Sequence, residues 1–322
     1  MNLKTFLQTN CLKRAIQNSL KRIYLSIKYY SFSGKKGDMM MIYKADGRLR
    51  HGGLADRFIG IITSYALSKI QHQPFKIDYT SPFTLSDYLE PNLYDWTVQP
   101  DELSYSRLHT NVAVHYDDMN WPKSFKIRQQ IHLYTNNPPL ERINLLFNTD
   151  YTYQELFNEL FKQTSILKEK IDAVKKEIRK PYIGIQFRFV QLLGDFKDVK
   201  YQTLSSQKQE GLIQRCINVI QKIQSQYADY KIFLSSDSQK FINATHAMQG
   251  IFSIEGEILH IDYTNLAESN HYEKTFLDFF VLGGSTAIFN ITGKGMIPSG
   301  FSKLSAQIHN VPFKRLDISS YL

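Results

Sequence analysis

The sequence contains few cysteines and lacks the motifs on which several common chemistries depend. Cysteine occurs only at Cys11 and Cys216, with no CxxC or Cys/His spacing, so neither a disulfide framework nor a zinc site is expected. No GxGxxG motif follows a predicted strand, TGKG at 292–295 is not a Walker A loop, and GxSxG and HExxH do not occur. These absences argue against dinucleotide-dependent oxidoreductases, P-loop ATPases, serine hydrolases and zinc proteases.

Long hydrophobic runs are also missing. No window approaches the ~18 consecutive apolar residues of a membrane-spanning helix. Lysines and arginines interrupt the first thirty residues, where a signal peptide needs an apolar core, so we expect the chain to remain in the cytoplasm. With 322 residues, 43% of them apolar and 21% charged, the composition is that of an ordinary globular protein about two domains long.

The net charge of +9 is concentrated at the N-terminus, because residues 1–37 contain eight lysines and arginines and no acid. Apolar residues recur there at three- and four-residue spacing, which predicts a basic amphipathic helix, followed by a linker at 31–38. Such a helix at residues 1–30 is typical of peripheral binding to an anionic membrane, and a packing helix with a solvated basic face is the alternative. Nucleic-acid binding is disfavoured because the remaining sequence has no basic stripe interleaved with aromatic residues.

Strand-like and helix-like runs alternate from residue 39 onward, which predicts an α/β fold with mostly parallel sheets. Residues 39–78 form one strand–turn–helix–strand unit, residues 81–137 cannot be ordered from their pattern, and a charged helix at 153–180 is predicted to join two domains. We therefore divide the chain into the segment 1–37, a domain 38–180 and a domain 181–322. The predicted elements beyond 180 are strands at 182–187, 231–235, 258–262 and 287–291 and helices at 207–227, 238–248, 273–282 and 299–308.

Ligands of open α/β sheets bind at the carboxyl ends of the strands, so the residues that follow each strand are candidates for a site. Arg188 is a fixed cation that suits bidentate capture of a phosphate. We expect Asp237 chiefly to cap the next helix, with ligand contact as the second interpretation. The loop 292–302 leads to a helix N-terminus, where backbone N–H groups and the helix dipole favour an anion, although many such starts hold no ligand.

Four segments resemble the GDP-fucose-dependent fucosyltransferase superfamily, which includes nodulation, core α1,6- and protein O-fucosyltransferases. They are HGGLADRFIGIITSYALSKIQHQPFKIDY from residue 51, YIGIQFRF from 182, KIFLSSDS from 231 and KTFLDFFVLGGSTAIFNITGKGMIPSGFSKLSA from 274. Their order and spacing match the superfamily, while the middle region and the N-terminal helix lie outside the resemblance. It implies a GT-B-like fold of two Rossmann-type doubly wound domains that face each other across a cleft.

The resemblance also implies roles for individual residues in the second domain. Arg188 corresponds to an arginine that holds the β-phosphate of the donor, and Asp278 to an aspartate that recognises guanine through its N1–H and amino groups. Asp237 matches an aspartate of a Thr-Asp-Ser element. The start of the last helix resembles a segment whose backbone and hydroxyl groups hold the diphosphate, at Ser299, Gly300, Phe301 and Ser302.

In the first domain, Gly53 to Asp56 correspond to a loop that reaches over the donor sugar, with Arg57 beside it. Asp56 is the first candidate for the general base, ahead of His51 and Asp195, and a role as the helix N-cap is its equal alternative.

Two departures from the superfamily pattern bear on the chemistry. Gln186 replaces a histidine and Ala55 a glycine. A glutamine can donate a hydrogen bond to a sugar or phosphate oxygen but cannot take up a proton, which leaves the identity of the sugar open.

The resemblance implies an inverting glycosyltransferase that needs no metal and no cofactor beyond its GDP-sugar donor. Together with the N-terminal helix, it predicts transfer of fucose to a glycan or lipid-linked acceptor on the inner face of the cytoplasmic membrane, in bacterial surface-polysaccharide or lipopolysaccharide synthesis. Two alternatives stay open, namely the same fold with another nucleotide sugar, and a catalytically silent protein that binds a nucleotide or carbohydrate.

Overall fold

The computed structural model describes residues 20, 23–24, 27, 29–30, 37–115, 130–136, 138–179, 181–196, 202–256, 261 and 272–320. Most of the predicted N-terminal helix and linker therefore lies outside the described residues. Within the described part of the chain, no helix is both long and apolar enough to cross a membrane. Contacts divide the chain into unit 1, with residues 1–45, 59–78 and 96–149, and unit 2, with residues 46–58, 79–95 and 150–322.

Unit 1 is built on a four-stranded sheet with the order β2-β1-β5-β4. Strand β5 pairs in parallel with both β1 and β4. Every residue of β1 and β5 is buried, including the polar residues Lys44, Gln130 and His132. The strands are β1 (Met40–Ala45), β2 (Phe75–Tyr79), β4 (Thr110–His115) and β5 (Gln130–Thr135).

Two helices accompany this sheet in the chain, α1 (Leu54–Ile70) and α2 (Leu140–Phe147). Helix α1 passes so close to β5 that a Cβ atom on Gly60 would lie 2.1 Å from the carbonyl oxygen of Thr135. Glycine is therefore required at this crossing. The first turn of α1, up to residue 58, belongs to unit 2.

Unit 2 contains a five-stranded parallel sheet with the order β11-β10-β7-β8-β9. The predicted strands at 182–187, 231–235 and 287–291 are confirmed with shifts of one residue at most, whereas β9 and β11 are additional. The strand predicted at 258–262 lies outside the described residues, apart from Ile261. The strands are β7 (Tyr182–Phe187), β8 (Lys231–Ser236), β9 (Ile251–Phe252), β10 (Ile288–Thr292) and β11 (Phe313–Asp317).

The single helix predicted over 153–180 is wrong. Strand β6 (Phe161–Gln163) interrupts it by pairing with β3 (Leu89–Pro91), and the Thr164 hydroxyl then accepts a hydrogen bond from Leu167 N at 3.4 Å to start a new helix. The helices of unit 2 are α3 (Tyr153–Leu160), α4 (Ser165–Ile178), α5 (Ser206–Gln226), α6 (Gln239–Thr245), α7 (Glu273–Gly283) and α8 (Gly300–His309).

Helices cover both faces of the unit 2 sheet. One face of β7 packs with α5 into a continuous apolar core. On the other face, the Tyr182 hydroxyl donates to the Val281 carbonyl of α7 at 2.7 Å, and a Cβ atom on Gly184 would lie 3.0 Å from Leu282. The predicted doubly wound arrangement is confirmed for this unit. The residues of β7 that enter the α5 core are Ile183, Ile185 and Phe187.

Candidate functional site

A pocket opens in unit 2 at the carboxyl ends of β7, β8 and β10. It encloses about 810 Å³, its mouth included. Arg57 and Ser302 are the sequence-predicted donor-site residues that do not line it. Those that do are Gly53, Asp56, Gln186, Arg188, Asp237, Asp278, Ser299, Gly300 and Phe301.

Arg188 supplies the positive charge of this pocket. It follows β7 directly and is half-buried. Among the residues that the structure describes, none forms a hydrogen bond with its guanidinium, which carries five N–H donors. A guanidinium stays charged at any physiological pH and presents its donors in a planar fork.

Asp237 lies at the adjacent strand end, where the predicted capping role is wrong. The α6 cap is Ser238, whose hydroxyl accepts from Phe241 N at 3.1 Å, because the helix begins only at Gln239. The Asp237 carboxylate instead accepts hydrogen bonds from Phe189 N and Val190 N, each at 2.8 Å. Burial raises the pKa of Asp237 to about 6, and these two bonds and the charge of Arg188 oppose that effect.

Asp278 forms part of the pocket floor and is only 2% exposed, which excludes the interpretation as a solvent-facing helix residue. The Ser235 hydroxyl donates to its Oδ2 at 3.1 Å, and the Lys274 ammonium lies 3.1 Å from the same oxygen. Burial raises the pKa of Asp278, while the charge and hydrogen bond of Lys274 and the bond from Ser235 oppose this.

Lys274 was missed in the sequence analysis. It is buried, and its ion pair with Asp278 joins positions i and i+4 of α7. That spacing places the two side chains on one helix face, so the pairing could have been read from the sequence.

The start of α8 presents backbone groups to the pocket. The Ser299 hydroxyl caps the helix by accepting from Phe301 N at 3.2 Å. Gly300 lines the pocket, and a Cβ atom on it would meet no atom within 4 Å. N–H groups of a first helical turn have no partner within the helix, and together with the helix dipole they favour an anion.

The serine hydroxyls in this segment have partners inside the protein, contrary to the expectation that they hold a ligand. Ser299 uses its hydroxyl as the cap, and the Ser302 hydroxyl donates to Gln186 Oε1 at 3.3 Å. An anion at this helix start would therefore contact backbone N–H groups.

Gln186 belongs to a buried amide network with Asn290, a second residue that the sequence analysis missed. The Asn290 side-chain amide donates to Gln186 Oε1 at 2.9 Å, and Asn290 Oδ1 accepts from Ser299 N at 3.2 Å. Gln186 Nε2 donates to the Phe187 carbonyl at 3.1 Å. An asparagine in the middle of a buried apolar strand was the available signal, because buried amides are hydrogen-bonded.

The first turn of α1 brings Asp56 to the pocket. Asp56 is exposed, and its Oδ2 accepts a hydrogen bond from Gly53 N at 3.1 Å. Asp56 is the third residue of α1, so the predicted N-cap role is wrong. Its bond from Gly53 N is the backward half of a capping box and leaves the carboxylate in the pocket lining.

Arg57 does not act as predicted. Its side chain is 3% exposed and donates to the carbonyls of Gly52 and Ser81, each at 3.1 Å, while its guanidinium lies 5.2 Å from the centre of the Tyr79 ring. These contacts tie residues 46–58 to residues 79–95 within unit 2.

The two alternative bases, His51 and Asp195, do not line the pocket. Asp195 accepts from the Ser238 hydroxyl at 2.9 Å and from Lys240 N at 2.7 Å, so it supports the start of α6. Across the described residues, no cluster of three or more histidine, cysteine, aspartate or glutamate side chains could hold a metal ion.

No protein-family model and no curated protein sequence matches the chain. Solved structures do. NodZ α-1,6-fucosyltransferase co-crystallised with GDP is 13% identical at a TM-score of 0.56, covering 88% of this chain and 97% of its own. NodZ from Bradyrhizobium, solved as the selenomethionine protein, is 14% identical at a TM-score of 0.54. That match covers 88% of this chain and 96% of NodZ. A mutant of FUT1 from Arabidopsis thaliana in complex with GDP is 12% identical at a TM-score of 0.54. That match covers 93% of this chain and 74% of FUT1.

These similarities extend over nearly the whole chain and agree with the parallel sheets of both units. At such low identity they establish the fold. The resemblance inferred from four sequence segments is confirmed at that level, and the chain has the GT-B-like α/β fold of the GDP-fucose fucosyltransferases.

Proposed function

We propose that this protein is a glycosyltransferase that transfers fucose from GDP-fucose. One observation carries the proposal: a single pocket of unit 2 combines the cation of Arg188, the buried carboxylate of Asp278 and the open helix start at Gly300. A nucleoside diphosphate needs a cation and N–H donors for its phosphates and a hydrogen-bond acceptor for its base, and these three groups can supply them. Fold neighbours crystallised with GDP support the choice of guanine.

Guanine would be recognised at the pocket floor. An ionised Asp278 is an acceptor only, and guanine offers it two donors, N1–H and the 2-amino group. Lys274 and Ser235 oppose the effect of burial and so favour the ionised carboxylate. Uracil presents one N–H between two carbonyl oxygens, which a carboxylate repels. We therefore expect selectivity for GDP over UDP.

The diphosphate would lie between Arg188 and the first turn of α8. Negative charge develops on the leaving GDP in the transition state, and preorganised cationic and backbone donors stabilise such charge. We propose that these groups take the place that a divalent ion holds in metal-dependent transferases.

Transfer would proceed with inversion at the anomeric carbon. An acceptor hydroxyl oxygen attacks that carbon from the face opposite the diphosphate, the bond from carbon to the GDP oxygen breaks, and GDP leaves with the electron pair. The hydroxyl proton passes to Asp56, the base we propose because its exposed carboxylate lines the pocket.

We further propose that unit 1 binds the acceptor and that the acceptor is a lipid-linked glycan of surface-polysaccharide synthesis at the cytoplasmic face of a membrane. The support is the basic segment 1–37 together with an exposed apolar stripe in it, at helical spacing. The stripe consists of Leu20, Ile23, Tyr24 and Ile27, which are 59%, 54%, 50% and 73% exposed.

Vesicle flotation tests the membrane contact. We expect the protein to float with vesicles that contain phosphatidylserine but not with pure phosphatidylcholine, and we expect the variant Leu20→Glu/Ile27→Glu to lose this flotation. Equal flotation of the variant and the wild type would refute the membrane contact.

Calorimetric titration of GDP, UDP and GDP-fucose, without added metal, tests the donor site. Wild type is expected to bind GDP and GDP-fucose but not UDP, and Arg188→Ala to bind neither. Arg107→Ala removes an exposed arginine of unit 1 outside the pocket and should bind as wild type does. Absence of nucleotide binding by the wild type, or preference for UDP, contradicts the proposal. Binding of GDP-fucose without turnover would support the silent binding protein instead.

A further inference from the structure

The backbone directly after Arg188 adopts an unfavourable conformation. Val190 has φ of 56°, in the left-handed region. A β-branched side chain rarely occupies that region, because its Cβ approaches the backbone too closely. The surrounding structure must therefore hold the turn that follows Arg188.

Asp237 is the group that holds it. Strands β7 and β8 are parallel neighbours with Phe187 opposite Ser236, so Asp237 and Arg188 leave the sheet side by side. One carboxylate oxygen of Asp237 accepts from Phe189 N and the other from Val190 N, each at 2.8 Å. Both oxygens thus bind the two N–H groups that follow Arg188.

We propose that Asp237 is a positioning residue: by clamping the strained turn at Phe189 and Val190, it fixes the direction in which Arg188 enters the pocket. The inference rests on the proposed function only in that Arg188 is taken to bind the diphosphate. It assigns Asp237 a role different from helix capping and from direct contact with the donor.

The chemistry of the pocket supports this role over direct contact. A carboxylate repels phosphate oxygens, whereas the same charge beside a guanidinium favours one orientation of it. Asp237 lines the pocket next to Arg188, yet its hydrogen bonds point away from a ligand and into the protein backbone.

The clamp has a pH dependence that follows from its atoms. Protonation places a hydrogen on one carboxyl oxygen and removes the negative charge, so the carboxyl becomes a much weaker acceptor for the two N–H groups. Burial raises the pKa of Asp237 to about 6; the charged group that acts on it is Arg188, and the N–H groups of Phe189 and Val190 also favour the ionised form. The clamp is therefore strongest above this pH and weakens as the pH falls through it.

Asp237→Asn tests the inference in two backgrounds. The amide keeps the size of the side chain but can accept only one of the two N–H bonds. We expect GDP affinity to fall roughly ten- to a hundredfold in the wild-type background, as for the loss of one charge-assisted hydrogen bond. In the Arg188→Lys background we expect little further loss, since a flexible ammonium does not depend on the turn. An equal fold-loss in both backgrounds overturns the inference.

Ser238→Ala is the matched control, because it removes the α6 cap next to Asp237 without touching the turn. It should leave GDP affinity as in the wild type. A ten-fold or greater loss in this control would show that any loosening of the strand end weakens binding, and it would overturn the specific role of Asp237.

An NMR measurement without nucleotide separates this inference from the proposed function. In the wild type, the amide resonances of Phe189 and Val190 should titrate with a midpoint near pH 6. In Asp237→Asn that titration should vanish and the Arg188 Nε–Hε resonance should shift. Unchanged resonances overturn the clamp even if GDP binds, whereas their change in a protein that binds no GDP refutes the proposed function alone.

Discussion

Removal of the Lys274 ammonium should produce a stability deficit that depends on pH. The side chains of Lys274 and Asp278 are 7% and 4% exposed, with Nζ 3.1 Å from Oδ2. Breaking a buried ion pair by removing one partner costs about 3–5 kcal/mol, because the remaining charge is left without compensation. We expect a deficit of this size in the free energy of unfolding of Lys274→Met at pH 8.

The sign of the pH dependence follows from Asp278. Burial already raises its pKa, and loss of Lys274 removes the largest opposing contribution. A carboxyl whose pKa is higher in the folded than in the unfolded protein favours folding when protonated. The deficit of Lys274→Met should therefore be smallest at low pH and should grow as the pH rises from the raised pKa of Asp278 in the folded wild type to its still higher pKa in the folded variant.

Urea unfolding followed by circular dichroism, from pH 5 to pH 8, measures the effect. The double variant Lys274→Met/Asp278→Asn should recover most of the loss, since it leaves no buried charge. Lys170→Met is the control: Lys170 pairs with Glu273, the neighbour of Lys274, but these side chains are 47% and 29% exposed. Such an exposed pair contributes at most about 1 kcal/mol.

A deficit of Lys274→Met that is constant with pH, or no larger than that of Lys170→Met, would refute the reasoning. It would mean that Asp278 is not an ionised group held by Lys274, and the proposed guanine acceptor would lose its physical basis.

Three further variants test the pocket. Asn290→Ala removes the acceptor of Ser299 N and the donor to Gln186, so we expect a loss of about 1–3 kcal/mol in urea unfolding together with weaker GDP binding in calorimetry; an unchanged stability would contradict the network. Gly300→Ala should fold as stably as wild type but weaken GDP binding, because the added methyl group meets no protein atom and stands at a residue that lines the pocket. Asp56→Asn should slow GDP-fucose turnover by roughly 10²–10⁴-fold at unchanged GDP affinity, and unchanged turnover would exclude Asp56 as the base.

Many of the strands and helices of unit 2 could be predicted from the sequence alone. Continuous apolar strands such as Tyr182–Phe187 alternate with amphipathic helices, and this local periodicity fixes a parallel sheet covered on both faces. Because ligand sites in such sheets lie at the carboxyl ends of the strands, Arg188 and the loop before Gly300 could be identified by position, and the structure brings them to one pocket.

Hydrophobic periodicity did not predict the correct elements where contacts between residues far apart in the chain override the local pattern. The run 153–180 has helical composition throughout, but pairing of β6 with β3, about seventy residues earlier, interrupts it. The strands β4 and β5 could not be ordered from residues 81–137, because only their pairing with each other and with β1 gives them a place.

The sequence by itself thus determined the strands β7, β8 and β10 of unit 2, the helices α5 to α8 and the residue types at the strand ends. Only the tertiary structure decided the hydrogen-bond partner of each polar side chain: Asp237 with the turn at Phe189 and Val190, Arg57 with Ser81, and Asn290 with Gln186. The physical reason is that parallel strand register places residues far apart in the chain side by side, and a buried polar group must pair with whichever partner that register supplies.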